Sequence, residues 1–274
     1  MYRDLLVHVD GSDAGRRRVR FSAGLAAYLG ARLTGLHVSP PAEVPYMVKP
    51  SRVAESLVNA SWRLVLDARR AALIFREEAD LRPIESTWQE AAGELVEGIS
   101  HGARFADLLI LGQYDQQVPV EAHPLPIAHS VLLKCGRPVL VVPPLIEPTI
   151  PARVVVAWDG SREAVRSLHD ALPLLRLASS IEVLNVTRTT AERLDADMNS
   201  LAEHLARHDL KVEPKILQTV TEAEHKLLRE QIEQGQYDLL VMGGYSHPVW
   251  LEFIFGGATE LILGSSKIPV FVSH

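Results

Sequence analysis

The residues of this chain best suited to binding chemistry stand in two Asp-Gly-Ser tripeptides. Residues 10–12 and residues 159–161 each follow a short apolar run and precede a helix-like segment. The aspartate carboxylate can accept hydrogen bonds from a ligand, the glycine permits a tight turn, and the serine hydroxyl can cap the helix. A turn followed by a cap explains the tripeptide without any ligand, so both interpretations stay open. We expect no nucleophilic role for Ser12 or Ser161, because no Gly-x-Ser-x-Gly elbow surrounds either serine.

A second candidate is the glycine-rich stretch that follows a later apolar run. Gly243 opens the stretch, and Gly256, Gly257, Ala258 and Thr259 close it at the start of a helix-like segment. Glycines let backbone N–H groups approach a phosphate, a helix start adds positive partial charge, and Thr259 offers a hydroxyl. The stretch lacks the Lys-Ser/Thr pair of a P-loop. A surface loop that merely needs glycine remains the alternative to anion binding.

The two tripeptides belong to two copies of one unit. The run of residues 5–12 recurs 149 positions later as residues 154–161, whereas the runs at 107–112 and 138–142 recur only 131 positions later. The first copy therefore carries about 18 extra residues between its first and fourth strands. We expect them in the proline-rich residues 40–50 and in the helix that follows.

Within each copy, apolar runs alternate with amphipathic helical segments, which predicts two domains, residues 1–145 and 151–274, joined by a proline-rich linker. Runs this apolar are typical of strands buried on both faces of a parallel sheet. The predicted fold class is α/β, with two tandem Rossmann-like doubly wound domains that each hold a five-stranded parallel sheet. Ligands in such folds bind beyond the carboxyl ends of the strands, so we expect a site where the first and fourth strands end. In the second copy the predicted strands are 153–158, 181–186, 212–217, 238–243 and 268–272, and the predicted helices are 163–178, 191–207, 222–233 and 258–263.

The two Asp-Gly-Ser strand ends, the glycine spacing after the fourth strand and the closing Pro-Val-Leu-Val-Val run resemble the universal stress protein family in its tandem two-domain form. The resemblance implies a five-stranded Rossmann-like fold, packing of the two domains as a pseudo-dimer through their last strands, and, in one subgroup, ATP binding. Residues 138–142 would then pair with residues 269–272 and cover two exposed strand edges. We accordingly expect a monomer or a homodimer of such pseudo-dimers.

The resemblance also implies which residues of the second copy bind the nucleotide. Asp159 and Val186 would surround the adenine and ribose, and the glycine-rich stretch would hold the phosphates. Two positions depart from the family motif, because Ser246 replaces its second glycine and Gly257 replaces its Ser or Thr. The full set implied for nucleotide binding is Asp159, Val186, Met242, Gly243, Ser246, Gly256, Gly257, Ala258 and Thr259.

The first copy departs further from the motif. Leu125 and Pro126 stand where the Gly-Ser pair belongs, and Asp115 would bring a carboxylate toward a polyphosphate. Proline lacks a donor N–H, and like charges repel. We therefore expect no nucleotide in this copy, which leaves a structural role or a different small ligand open.

Two further groups of residues, one of histidines and one of arginines, can be interpreted without a ligand. His8 and His37 fall on neighbouring predicted strands, but no third ligand accompanies them, so interior histidines are favoured over a metal site. Arg16, Arg17 and Arg18 open the first predicted helix. We predict that they lie on its solvated surface, and contact with an anion is the alternative.

Composition argues against several classes of partner. Lys and Arg number 28 against 34 Asp and Glu, for a net charge of −6, and neither sign forms a long run, so nucleic acid is not an expected partner. The longest apolar runs fall far short of the roughly 20 residues of a membrane-spanning helix, and no signal peptide is visible. With Cys135 as its single cysteine, the chain is expected in the cytoplasm without a membrane partner.

The residues and the resemblance together predict a stress-response protein that binds an adenine nucleotide, ATP with Mg²⁺, in its second domain. It would act as a regulatory or signalling module toward a protein partner. No general base stands beside a water site, so any ATP hydrolysis is expected to be slow and assisted by the phosphate cradle and Mg²⁺. The alternative is a scaffold or chaperone-like interaction protein in which neither copy binds nucleotide.

Overall fold

Strands and helices alternate along the whole of the chain that the computed structural model describes, which is residues 1–40, 53–113, 127–187, 191–219, 224–244 and 258–274. In the first half the elements are β1 (Asp4–His8), α1 (Asp13–Leu29), β2 (Arg32–Ser39), α2 (Val53–Ala79), β3 (Ser86–Ala92), α3 (Leu95–Gly102), β4 (Leu108–Gly112), α4 (Ile127–Cys135) and β5 (Val139–Val142). In the second half they are β6 (Arg153–Ala157), α5 (Arg162–Leu175), β7 (Ser180–Thr187), α6 (Ala191–Ala206), β8 (Glu213–Gln218), α7 (Glu224–Gln234), β9 (Leu239–Gly243), α8 (Ala258–Ser265) and β10 (Val270–Ser273). A short 3-10 turn follows α3.

All of these strands join one sheet, and the two halves meet at its centre. The strand order is β3-β2-β1-β4-β5-β10-β9-β6-β7-β8. Neighbours are parallel within each half, whereas β5 and β10 are antiparallel, with Leu140 opposite Phe271 and Val141 opposite Val270. The α/β fold and the pseudo-dimer packing through the last strands are therefore confirmed. Because the joint is antiparallel, the carboxyl ends of the two sets of strands lie at opposite edges of the sheet.

Helices cover both faces of the sheet, as its apolar strands require. Successive strand residues point to opposite faces, so Leu5 and Val7 belong to one buried cluster and Leu6 to the other. Helices α1, α2, α5 and α6 contribute to the first cluster, and α3, α4, α7 and α8 to the second. Both clusters run across the β5–β10 joint, since Leu140 and Phe271 share one cluster and Val141 and Val270 the other.

The elements predicted for the second copy are present, and their ends shift by a few residues. The largest shift is at α5, which ends at Leu175 and not at residue 178. The chain leaves the helix there because the backbone N–H groups of Ser179 and Ser180 both donate to the carbonyl of Ala152, at 2.8 and 3.1 Å, which draws the chain into β7. Local periodicity could not anticipate that contact.

The extra length of the first copy falls partly where it was expected. Helix α2 has 27 residues, whereas its counterpart α6 has 16. Residues 41–52, the remainder of the expected insertion, lie outside the described residues. The segment between Val142 and Arg153 joins the halves, and the division into domains at residues 145 and 151 stays a prediction. Among the helices described, none is long and apolar enough to cross a membrane.

The joint between the halves can be tested at Phe271, whose side chain is 0% exposed. We expect Phe271→Ala to lower the free energy of unfolding by about 3–5 kcal/mol, because it leaves a cavity beside Leu140. The matched control is Phe105→Ala, since Phe105 is 89% exposed. It should change the free energy by less than about 0.5 kcal/mol in the same urea denaturation. Equal effects of the two changes would contradict a packed joint.

Candidate functional site

In each half the first and fourth strands end side by side. They are hydrogen-bonded neighbours, β1 with β4 and β6 with β9, and the strand order reverses between them. Ligands in such folds bind beyond the strand ends at this point, so both strand ends stay candidate sites, at opposite edges of the sheet. We call the strand end with Asp10, Ser12 and Gly112 the first mouth, and the strand end with Asp159, Ser161 and Gly243 the second mouth.

The Asp-Gly-Ser tripeptides form the same turn and cap in both mouths. The hydroxyls of Ser12 and Ser161 accept hydrogen bonds from the backbone N–H three residues later, at 2.9 and 3.1 Å, and so cap α1 and α5. The Oδ1 atoms of Asp10 and Asp159 accept hydrogen bonds from the serine N–H groups, at 3.0 and 2.9 Å. Both serines thus have a structural role, and one carboxylate oxygen of each aspartate helps to fix the turn.

A polar residue at the end of the second strand supports each tripeptide. His37 Nδ1 lies 2.9 Å from the carbonyl oxygen of Val9, and Asn185 Nδ2 donates to the carbonyl of Trp158 at 2.7 Å. Each carbonyl belongs to the residue that precedes the aspartate. Since a carbonyl only accepts, Nδ1 of His37 carries the proton. The interpretation of His37 as a satisfied interior histidine agrees with this contact.

Arg18 fills the first mouth. Its Nε donates to the carbonyl of His8 at 2.8 Å, and its Nη2 pairs with Asp10 Oδ2 at 2.6 Å. A Cβ atom on Gly112 would overlap the guanidinium, so glycine at this strand end makes room for an arginine. The prediction that Arg18 lies on the solvated surface is wrong. The residue falls on the buried stripe of α1 with Gly15 and Val19, three residues before and one after it.

The buried guanidinium sets the electrostatics of the first mouth. Burial alone would raise the pKa of Asp10, but the Arg18 charge and the hydrogen bond from Ser12 outweigh it and lower that pKa. Burial and the same Arg18 charge lower the pKa of His8 to about 3. At neutral pH the first mouth therefore holds a closed Asp10–Arg18 ion pair beside a neutral imidazole.

The second mouth is built differently. Ser167 stands 149 positions after Arg18, and its buried Oγ has no hydrogen-bond partner among the described residues. A serine thus replaces the guanidinium that covers Asp10, and Asp159 is exposed. A Cβ atom on Gly243 would lie 2.5 Å from the backbone nitrogen of Ala164, so glycine here lets the start of α5 pack against β9.

Two further residues implied for nucleotide binding, Val186 and Met242, lie on the face of the sheet that α7 and α8 cover. Met242 is 7% exposed and belongs to the buried cluster that includes Ile262 and Leu263. Val186 is half-buried and packs against the same cluster. A ligand in the second mouth would therefore meet the backbone of Met242 and not its side chain. The nucleotide contacts of both residues stay predictions.

The rest of the expected phosphate cradle is described only in part. Ala258 and Thr259 are the first two residues of α8, as the sequence predicted. Ser246, Gly256 and Gly257 lie outside the described residues, and so do Asp115, Leu125 and Pro126 of the first copy.

Gly244, the second residue of the glycine-rich stretch, is fixed at the joint between the halves. The N–H of Gly244 donates to the carbonyl of Ser273 at 2.9 Å, and its own carbonyl lies 3.0 Å from His274 Nδ1. A Cβ atom on Gly244 would lie 2.9 Å from Cδ2 of Leu132, on helix α4 of the first half. Gln113 of the first half makes a second contact across the joint, in which its Nε2 donates to the carbonyl of Ser266 of the second half at 2.6 Å. No sequence pattern signalled these contacts.

Known proteins agree with this fold over the length of the chain. The model of the universal stress protein family matches residues 1–143. The universal stress protein Slr1230 of Synechocystis sp. is 24% identical over 296 residues, which cover 98% of this chain and 98% of that protein. A solved universal stress protein from Archaeoglobus fulgidus DSM 4304 covers 98% of this chain and 97% of its own, with a TM-score of 0.73 and 18% identity. A universal stress protein solved in complex with cAMP covers 52% of this chain and 97% of its own, with a TM-score of 0.38 and 21% identity.

The ion pair that closes the first mouth can be tested with Arg18→Met, which keeps an unbranched apolar side chain and removes the charge and the hydrogen-bond donors. We expect the free energy of unfolding in urea to fall by about 2–3 kcal/mol, because Asp10 and the His8 carbonyl lose their partner. Arg76→Met is the matched control, since Arg76 is exposed on α2, and it should cost less than about 0.5 kcal/mol. An Arg18→Met variant as stable as the parent protein would show that the pair does not support the first half.

The depressed pKa of His8 predicts a pH dependence of stability. His8 stays neutral in the folded protein down to about pH 3, whereas an unfolded histidine takes up a proton near pH 6.5. The unfolded state therefore binds more protons, and stability falls as the pH drops through this window. Between pH 7 and pH 5, His8 should account for at most about 2 kcal/mol of the loss. The His8→Gln variant should lose correspondingly less free energy of unfolding between pH 7 and pH 5, as measured by urea denaturation. A variant with the same pH dependence as the parent protein would contradict the low pKa of His8.

Proposed function

Because the chain belongs to the universal stress protein family, we propose that it binds an adenine nucleotide, ATP, in its second mouth and acts as a regulatory or signalling module in a stress response. The two halves, which we take as domains of residues 1–145 and 151–274, would then differ in function although they share a fold. The first domain would bind no nucleotide and would have a structural role, and the second domain would bind the ligand.

The observation that carries this proposal is the contrast between Arg18 and Ser167. In the first mouth the guanidinium occupies the space beside Gly112 and neutralises Asp10. In the second mouth a serine stands at the corresponding position, and Asp159 is exposed. A carboxylate in this position can accept hydrogen bonds from the hydroxyls of a ribose or the amino group of an adenine. In the first mouth, by contrast, the carboxylate of Asp10 already pairs with the guanidinium of Arg18.

The phosphates would bind at the start of α8. In the sequence, Gly256 and Gly257 directly precede Ala258 and Thr259, where the first N–H groups of the helix have no partner within the helix. Such N–H groups and the positive end of the helix dipole attract phosphate oxygens. Mg²⁺, if it accompanies the nucleotide, would neutralise further phosphate charge. We propose binding without rapid turnover, so any hydrolysis is expected to be slow.

A regulatory output would pass through the joint between the halves. Gly244, the second residue of the glycine-rich stretch, contacts β10 and α4, and the carbonyl of Ser266, directly after α8, accepts a hydrogen bond from Gln113 of the first half. A nucleotide that reorganises the stretch would therefore act on residues that hold the halves together. A protein partner that contacts both halves could read this change.

A scaffold without nucleotide is the second candidate function. Ser246 favours it, because a serine replaces the second glycine of the family motif, and a position that needs a positive φ is costly for a serine. The closed first mouth fits either function. The two candidates differ in whether the chain binds ATP at all.

Isothermal titration of the nucleotide-stripped protein with Mg·ATP separates them. We expect one site per chain, and Asp159→Asn should weaken binding about tenfold or more, which corresponds to the loss of one charge-assisted hydrogen bond. Asp10→Asn is the matched control in the first mouth and should leave the affinity unchanged. Two sites per chain would contradict a closed first mouth, and no binding at millimolar ATP would leave the scaffold as the function.

A further inference from the structure

The outward face of helix α2 exposes large apolar side chains. Trp62, Leu66 and Leu73 are 60%, 60% and 58% exposed, and Val65 beside them is 42% exposed. An α-helix makes a turn every 3.6 residues, so positions 62, 66 and 73 fall on one line along the helix, about 16 Å long. On the opposite side the helix is buried in the core, where Phe75 is 2% exposed. Helix α2 is therefore apolar on its outward face as well as on the face that packs against the sheet.

The corresponding helix of the second half has an ordinary outer face. Helix α6 packs against the same buried cluster as α2. Among its described side chains, the exposed positions hold small or polar residues, namely Ala196, Asp197, Asn199, Ser200, Glu203 and Ala206. Single apolar residues on a surface are normal, whereas several on one helix face indicate contact with another surface. The fold itself therefore does not require the apolar line on α2.

Positive charge surrounds this apolar line. Four exposed arginines lie on the same part of the helix, Arg63, Arg69, Arg70 and Arg76. Between residues 62 and 76 the sequence has one acidic residue, Asp67. The whole chain has a net charge of −6, so this excess of positive charge is local. Apolar side chains within a basic surface fit a partner that is anionic and takes up apolar groups.

A second copy of this chain does not fit this face. Two α2 helices placed face to face would bring two sets of arginines together, and like charges that meet across an interface cost free energy. Arg69 lies between Leu66 and Leu73, so a closed protein interface would bury its guanidinium, which would then need a carboxylate. The carboxylate of Asp67 lies beside Gly11, on another side of the helix.

A layer of anionic lipid headgroups fits both the charge and the shape of the face. Tryptophan is favoured where headgroups meet acyl chains, and leucine side chains can enter the same boundary. The long side chain of Arg69 can bend so that its guanidinium reaches lipid phosphates while its CH₂ groups stay against Leu66 and Leu73. A single helix that projects outward needs no matching groove in a surface that deforms around it.

We propose that the outward face of α2 binds an anionic membrane surface reversibly, with its apolar side chains among the headgroups and its arginines on lipid phosphates. The expectation of no membrane partner rested on the lack of a spanning segment, and a contact of this kind needs none. The contact would hold the first half against the membrane. It is independent of the proposed nucleotide function, because the second mouth lies in the other half.

Co-sedimentation of the full-length chain with lipid vesicles, in the absence of nucleotide, tests this surface. We expect vesicles that contain phosphatidylglycerol to bind about tenfold more tightly than vesicles of phosphatidylcholine alone, and added salt should reduce the difference. Arg69→Gln should weaken binding to the anionic vesicles about fivefold, through the loss of one basic group near the surface. Trp62→Ser should weaken it about tenfold or more, through the loss of the largest apolar group.

Arg104 and Phe105 supply matched controls. Both are exposed, and they follow α3 on the other face of the sheet. Arg104→Gln and Phe105→Ser should leave vesicle binding unchanged. Because all four changed residues are exposed, urea denaturation should show that every variant stays folded.

Two outcomes with vesicles would overturn the proposal. One is the absence of binding to anionic vesicles at low salt, which would leave an acidic protein surface as the partner of this face. The other is an equal loss of binding in the α2 variants and in the controls. A parent protein that sediments as a dimer and becomes a monomer in Trp62→Ser would also contradict it, since a second copy would then cover α2. None of these results bears on the titration with Mg·ATP.

Discussion

The antiparallel pairing of β5 with β10 is the contact on which the rest of the structure depends. A parallel five-stranded sheet that ended at β5 or at β10 would expose an apolar edge, which invites association with other chains. Here each edge covers the other, and the residues of both strands are buried. The same pairing joins the two hydrophobic layers across the molecule. Separating the halves would therefore expose both strand edges and the apolar side chains on both faces at once.

The antiparallel joint also decides where chemistry can take place. It turns the carboxyl ends of the two sets of strands to opposite edges, so the mouths cannot share one ligand. Each mouth must supply its own contacts, and a duplicated chain is free to change one without the other. Arg18 and Ser167, which stand at corresponding positions of the two halves, illustrate this freedom. The His37 and Asn185 contacts illustrate its limit, because both support the backbone of the turn in the same way.

Much of this fold could be predicted from the sequence because the strands are marked by burial on both faces. Val154 to Val156 and Leu239 to Val241 are apolar throughout, a pattern typical of strands that are covered on both faces of a parallel sheet. The repeat then fixed which strands correspond and which edges remained to be paired. The end of α5 was missed, because the hydrogen bonds that stop it come from Ala152, which lies before β6.

The site was harder to predict, because its decisive contacts join residues that no local pattern connects. Three consecutive arginines look like a solvated helix face, yet the helix turn directs Arg18 inward, and its destination depends on the positions of β1 and β4.

The closed first mouth also bears on stability. Removing an arginine and an aspartate from water costs free energy, which their attraction repays only when the geometry is good and the remaining donors are satisfied. Arg18 meets this condition through the carbonyl of His8 as well as the carboxylate of Asp10. The pair stabilises the turn that a ligand would otherwise have to organise. On the proposed function, the first half is therefore a preformed and rigid support, and a conformational response to nucleotide is confined to the second mouth and the joint beside it.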